Sequence, residues 1–373
     1  MSADRGRRLI RTDGSQLIVE SCVRAGADAY VGYPITPASL IYAHASSRFP
    51  ALLTAPDEIT VIHWMAGLSA TGNLPVTATS FPGLALMVEG INQAVMMELP
   101  MLIILTQRLG PSTGAATTGA QGDLLLLRGL VSGGYTLPVF SISNLVDCWR
   151  LPALALQAAV DLRSPVVVLT SKEMVMTGRS ADPNWLEDLA PVQLRIYDGE
   201  GPYLPYAAGD DLVPPMLPVG NDRFQVRMTA STHDERGILG HATDEVLANT
   251  RRLQHKVEMG TPVLYQMDEQ QGAETLVVTY GITAGAAREA VGALRQQGIA
   301  VSLLVAQTLL PLPSVYGEII GRYPRVILAE ENLQGQLAAL LFGHRLPPQV
   351  RRVGTIGRMV RPEEIVGEVG GAV

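Results

Sequence analysis

The sequence predicts an α/β protein: a doubly wound parallel sheet, followed by a smaller α/β unit. Three observations carry this expectation. Short runs rich in Val, Ile and Leu recur through the first half of the chain, and each empties into Gly, Ser, Thr or Pro. Between them lie longer stretches with helical spacing, so the repeating unit is β–α–β, the pattern of a parallel sheet. The pattern breaks at about residue 180 and resumes near residue 275, which divides the chain into 1–185, a connector 186–262, and 263–373.

Taken in order, Asp13-Gly14-Ser15 starts a helix whose apolar stripe runs to Gly26. Residues 29–32 form a short buried strand that runs into Tyr33-Pro34-Ile35-Thr36-Pro37, where two prolines hold the loop extended and fix Thr36 between them. A helix over 40–47 and a strand over 52–55 follow. Pro56-Asp57-Glu58-Ile59 then opens an apolar helix that carries Glu58 in its first turn, with His63 and Trp64 as packing residues in a core or an interface.

The stretch 76–123 organises the rest. Strands over 76–78 and 101–105 flank a helix over 84–99, and they end in Thr79-Ser80-Phe81-Pro82-Gly83 and Gly110-Pro111-Ser112-Thr113-Gly114. Loops of small residues beyond the carboxyl ends of parallel strands are where ligands bind, because the backbone can approach them closely. A third β–α–β unit covers 137–170. The connector is rich in Pro and Gly and shows no period, so it reads as a solvated strap, with Thr232-His233-Asp234-Glu235 a polar island and 243–258 an exposed charged helix. Strands over 275–280, 300–305 and 325–329, with helices between them, form the carboxyl-terminal unit.

Composition narrows the function. The chain has 373 residues, of which 47% are hydrophobic and 17% charged, so large buried cores are expected and disorder is not. Net charge is −7 and the densest basic cluster is the short Arg5-Gly6-Arg7-Arg8, which argues against nucleic acid as a partner. No apolar run reaches the roughly 18 residues that span a bilayer, and no signal peptide opens the chain, so neither membrane association nor export is expected and a cytoplasmic location is. Cys22 and Cys148 stand alone, and no spacing demands a metal, so neither an iron–sulfur cluster nor a metal ion is expected on this chain.

The motifs, taken together, resemble a family. Asp13-Gly14, Gly32-Tyr33-Pro34-Ile35-Thr36-Pro37, Asp57-Glu58-Ile59, Thr79-Ser80 with Pro82-Gly83, Glu98-Leu99-Pro100 and Gln107-Arg108 with Gly110–Gly114 occur in order, continued by His233-Asp234-Glu235 and Glu330-Glu331-Asn332. The chain resembles the alpha, pyrimidine-domain subunit of 2-oxoacid:ferredoxin oxidoreductases, closest to the 2-oxoglutarate type. The resemblance implies a thiamine diphosphate pyrimidine-binding domain followed by a transketolase C-terminal-like domain. It implies thiamine diphosphate shared with a beta subunit, which holds the diphosphate and Mg²⁺ through a Gly-Asp-Gly motif absent here and also carries the iron–sulfur cluster. It implies an alpha2beta2 assembly that decarboxylates a 2-oxoacid oxidatively, makes an acyl-CoA and passes electrons to ferredoxin. Glu58 matches the glutamate that shares a proton with the aminopyrimidine ring nitrogen, a role suited to a buried carboxylate. Thr36 and Arg108 match the positions that bind the 2-oxoacid, Arg108 as a two-pronged donor. Pro34, Ile35, Ser80 and Gly83 fall beside the cofactor.

Departures from the family pattern cluster near the substrate. Phe81 stands where the family has Gly, Leu109 where it has a second Gly, and Ala116 and Ala120 where it has Pro and Glu. Phe81 is therefore expected in the substrate pocket, where an aromatic ring favours a smaller or apolar acyl group over a second carboxylate. Phe81 and Leu109 keep open a non-oxidative decarboxylase or acyl-transfer subunit; the other alternative, a catalytically idle structural or regulatory partner, is opposed by the presence of Glu58, Thr36 and Arg108 together.

Overall fold

The computed structural model describes residues 9–371; the Arg5–Arg8 cluster lies outside the described residues. The amino-terminal part runs β1 (Ile10–Thr12), α1 (Gly14–Arg24), β2 (Ala29–Gly32), α2 (Ser39–Arg48), β3 (Ala51–Thr54), α3 (Glu58–Ala70), β4 (Pro75–Thr79), α4 (Phe81–Met96), β5 (Met101–Gln107), α5 (Leu124–Arg128), β6 (Val139–Ser141), α6 (Leu145–Leu162), β7 (Pro165–Ser171), α7 (Lys172–Met176) and β8 (Arg179–Ala181). After the connector come α8 (Asp244–Gly260), β9 (Tyr265–Asp268), β10 (Thr275–Tyr280), α9 (Thr283–Gln296), β11 (Val301–Ala306), β12 (Thr308–Leu310), α10 (Ser314–Ile320), β13 (Arg325–Glu330), α11 (Gln336–Phe342), β14 (Val350–Gly354) and α12 (Pro362–Gly370).

The first sheet has the order β12-β6-β7-β5-β4-β2-β3. All its pairings are parallel except that of β12 with β6. β5 and β7 sit at its centre and are buried at every position, as uninterrupted apolar runs require when helices cover both faces. On one face Val61, Ile62, Met65, Leu84, Met87 and Ile91 of α3 and α4 pack on Ile103 and Leu105. On the other, α1, α2 and α6 pack on Leu102, Ile104 and Val168. Asp13, Asp57 and Asn144 cap α1, α3 and α6 by accepting from the backbone N–H of Gln16, Thr60 and Asp147 at 3.0, 2.7 and 2.9 Å. The second sheet, β14-β13-β10-β11-β9, is parallel except for β9 and is covered on one face by α9 and α12.

The structure corrects three readings of the sequence. First, the connector is not simply solvated. Tyr206, Met216, Leu217 and His233 are buried, and the His233 ring lies 3.9 Å from that of Tyr206. Helix α8 is not exposed all round either, because Arg252 and Lys256 reach the fully buried carboxylate of Glu98, Lys256 at 2.5 Å. Glu98 has φ 52°, and Arg163 beside it donates to the Glu98 carbonyl at 3.1 Å and to the carbonyls of Pro205, Pro214 and Pro215 at 3.2 Å each. Burial opposes charge on Glu98, but Lys256 and Arg252 outweigh it and hold the carboxyl at about 2. Second, His63 and Trp64 are exposed on the outer face of α3, because Val61, Ile62 and Met65 take its inner face. They belong to no core of this chain. Third, the chain after β11 does not stay within the second sheet, a crossing the sequence reading did not foresee: β12 forms the edge of the first sheet against β6.

Candidate active site

The parallel strands deliver the motif residues to one edge. Gly32 and Thr54 end β2 and β3 as register partners, Thr79 of β4 pairs with Leu105, and Gln107 of β5 pairs with Ser171. The loops that follow β2, β3, β4 and β5 therefore leave the sheet side by side, at the carboxyl edge where open α/β sheets bind ligands.

Glu58 opens α3 behind its Asp57 cap and is only 5% exposed. Burial raises its carboxyl above the ordinary range; its own backbone N–H lowers it, and Asp57 adds to the rise. Its own N–H is the only hydrogen bond among the influences on that carboxyl. The space around it is made by Gly83 on α4. A Cβ there would lie 2.6 Å from Glu58 Oε1 and 2.8 Å from Glu58 Cγ, and closer still to Thr79 Oγ1. Any side chain at position 83 would push the carboxylate away, so the glycine is required for the approach.

Thr36, Ser80 and Arg108 meet at one atom. Arg108 Nη1 donates to the Thr36 carbonyl at 2.6 Å, and Ser80 Oγ donates to the same oxygen at 3.5 Å. The 33–38 loop is thus pinned to β4 and β5 through its backbone, and the Thr36 hydroxyl takes no part in that bond. Arg108 is 6% exposed, its Nε is buried without a partner, and burial lowers its pKa. A buried guanidinium with unfilled donors is chemically an anion receptor.

The remaining expected residues divide. Phe81 is the first residue of α4 rather than a loop residue, and it is half-buried. Pro34 is exposed, whereas Ile35 packs against the cluster between α1, α2 and α6. Two groups escaped the sequence reading. Asp123 is 4% exposed, lies beside Gln107 and Arg108, and leaves Oδ2 unpartnered. Gln121 joins the two sheets: its Nε2 donates to the Tyr280 carbonyl at 2.9 Å, while its Oε1 accepts from Thr283 Oγ1 at 2.8 Å and from Glu331 N at 2.7 Å. Asn332 Nδ2 donates to the Gln121 carbonyl at 3.1 Å and to Glu330 at 2.6 Å, so the Glu330-Glu331-Asn332 motif clasps the segment that leads from the loop after β5 into α5.

A buried carboxylate at the head of α3 and a buried arginine just past β5 thus sit at the carboxyl edge of a doubly wound sheet. Residues 20–252 match the family described as "Pyruvate flavodoxin/ferredoxin oxidoreductase, thiamine diP-bdg", and residues 273–365 match "Pyruvate:ferredoxin oxidoreductase core domain II". The chain belongs to this thiamine-diphosphate-binding family and is an oxidoreductase subunit of its 2-oxoacid:ferredoxin branch. It is 30% identical to 2-oxoglutarate synthase subunit KorA of Methanocaldococcus jannaschii, over 87% of this chain and 88% of that protein. It is 31% identical to ketoisovalerate oxidoreductase subunit VorB of Methanothermobacter thermautotrophicus, over 81% of this chain and 80% of that one. Among solved structures, the 2-oxoglutarate:ferredoxin oxidoreductase from Magnetococcus marinus superposes with a TM-score of 0.92 at 28% identity, covering 97% of this chain and 65% of that chain. A split-gene transketolase shares the fold at 16% identity and a TM-score of 0.53. Both of these curated relatives are named as subunits. Among the described residues no helix is long and apolar enough to cross a membrane.

Proposed function

We propose that this chain supplies the pyrimidine half of a thiamine diphosphate site and the substrate-binding half of a 2-oxoacid pocket, with a beta subunit completing both. The observation that carries the reading is Glu58: 5% exposed, its carboxyl raised by burial, and given room by Gly83. The residues fit the cofactor, because a carboxylate without a protein partner at this position can hold or release a proton at a ring nitrogen. When bound, thiamine diphosphate supplies the carbon nucleophile and electron sink for 2-oxoacid decarboxylation.

The chain's own residues do the rest. Glu58, its carboxyl raised by burial, is the group that exchanges a proton with the ring. Arg108 receives the substrate carboxylate on the donors that Thr36 leaves free. Ser80 holds the Thr36 loop in register with β4, and Pro34, Ile35 and Gly83 shape the wall against the cofactor. Phe81, at the head of α4, fills space beside the reacting carbon and favours a smaller or apolar acyl group.

Around this edge Tyr33, Ile59, Trp64 and Leu86 are each more than a third exposed. An apolar rim of this kind suits a protein partner. On it we place the beta subunit, carrying the diphosphate, Mg²⁺ and iron–sulfur cluster, in a cytoplasmic alpha2beta2 assembly that delivers electrons to ferredoxin and the acyl group to CoA.

The test is co-expression with the beta subunit, cofactor analysis, and turnover with pyruvate, 2-oxoisovalerate and 2-oxoglutarate. Thiamine diphosphate is expected in the complex, with CoA-dependent reduction of ferredoxin by at least one acid. A complex that binds no thiamine diphosphate overturns the reading.

A further inference from the structure

The corner where β5 ends holds Arg108 and two polar side chains, Gln107 and Asp123, that the account so far leaves idle. Gln107, Arg108 and Asp123 are 3%, 6% and 4% exposed, and each keeps an unpartnered buried atom: Nε2, Nε and Oδ2. Three unfilled groups in one corner are unusual, because each costs free energy that folding has no reason to spend. The guanidinium is the costliest, since its one bond runs to a neutral carbonyl. Asp123 is the carboxylate that acts on the Arg108 charge, yet among the described residues the two form no ion-pair contact. The pair stands off, leaving Arg108 Nε and Asp123 Oδ2 without a partner, with Gln107 beside the carboxylate.

Resting on the reading of this site as a 2-oxoacid pocket, we propose that Asp123 is the resting counter-ion of Arg108 and yields it to the incoming 2-oxoacid carboxylate, taking up a solvent proton as it does so. Two carboxylates cannot both remain ionised against one buried cation, so arrival of the second raises the pKa of the first. Asp123 is poised for this. Burial lifts it to about 6 despite the opposing pull of Gln107 and Arg108, so a modest further rise carries it through neutral pH. Proton uptake and substrate binding then reinforce each other.

Other groups face the same corner. Tyr280 at the end of β10 is kept protonated by burial, and Glu330 and Glu331 at the end of β13 act on it together with Asp123. Glu330 is raised by burial, against hydrogen bonds from Asn332, Leu337 and Ala338. Glu331 is raised by burial to about 7 and bonds Val360 N at 3.2 Å. Arg128 closes Asp123's own helix. Glu331 titrates in the same range, so the experiment must isolate Asp123.

Asp123→Asn does so, since the amide imitates the protonated acid. In the assembled complex, KM is measured from about pH 6 to about pH 8.5 for whichever of pyruvate, 2-oxoisovalerate and 2-oxoglutarate is turned over fastest. Wild-type KM is expected to rise with pH, by up to about tenfold per unit between the free and liganded ionisations of one linked group. The Asp123→Asn variant should show a flat KM, at the low-pH wild-type level. A variant with the wild-type slope overturns the proposal. A second measurement needs no variant: calorimetry at about pH 7 in two buffers of different ionisation enthalpy, titrating wild-type complex with lactate, 2-hydroxyisovalerate or 2-hydroxyglutarate to match the preferred acid. Proton uptake on binding supports the proposal and its absence overturns it, even if the variant fails to assemble. A wild-type complex that turns over none of the three acids refutes the 2-oxoacid reading itself, a different result from an altered pH slope.

Discussion

Gly83→Ala tests how tightly the site is built. The new Cβ would sit 2.6 Å from Glu58 Oε1 and 2.8 Å from Glu58 Cγ, so the carboxylate must retreat by roughly 0.8 Å to regain ordinary contact. Overpacking of this kind costs about 1–3 kcal/mol, while alanine in a helix returns about 1 kcal/mol relative to glycine. Net destabilisation should therefore stay within about 2 kcal/mol. Activity should suffer far more, because a misplacement near 1 Å of a group in contact with the chemistry costs about 10²-fold. The assay pairs thermal unfolding with single-turnover decarboxylation in the assembled complex. Gly292→Ala on α9 is the control: it offers the same helix gain with nothing within 4 Å of its Cβ. Should Gly83→Ala keep wild-type turnover while remaining folded, the claim that Gly83 sets the position of Glu58 is refuted.

Other perturbations address the frame and the pocket. Glu98→Gln leaves Arg252 and Lys256 buried without a counter-charge and should cost about 3–5 kcal/mol by chemical denaturation. In the wild type the Glu98 carboxyl is lowered from 4.5 to about 2 in the folded state, so its contribution is complete above about pH 4.5 and is lost as pH falls toward 2. The variant's stability should vary less across that window, as read from denaturant midpoints at each pH. Phe81→Gly should raise kcat/KM for larger or dicarboxylic 2-oxoacids relative to the wild type. An unchanged selectivity profile would remove Phe81 from the pocket.

The fold was legible because its strands are locally decisive. β5 and β7 each open with a five-residue apolar run and are buried at all seven positions, and only a sheet covered on both faces accommodates them. Glu58 was legible for a related reason: a carboxylate in the first turn of an otherwise apolar helix stands out against its own segment. What escaped depends on distant partners. Arg252 and Lys256 look like solvated charges in α8 until Glu98, 154 and 158 residues earlier, is brought beneath them. His63 and Trp64 read as core or interface residues because the sequence does not state which face of α3 meets the sheet, and their exposure removes only the core half of that reading. Gln121 and Asp123 read as loop punctuation, and their significance appears only when β5, β10 and β13 converge on that loop.

The most direct measurement of the central claim is exchange of the thiazolium C2 proton in the assembled complex carrying Glu58→Gln. Glutamine keeps the shape and can still hydrogen-bond the ring, but it cannot carry the proton. If Glu58 only complements the α3 dipole, the change costs about 0.3–1 kcal/mol of stability and leaves the rate alone. If Glu58 is the proton carrier, folding and partner binding survive while exchange and turnover fall together by about 10²–10⁴-fold. Exchange and turnover at wild-type rates in a folded, assembled Glu58→Gln complex would contradict the assignment of this edge as the thiamine site.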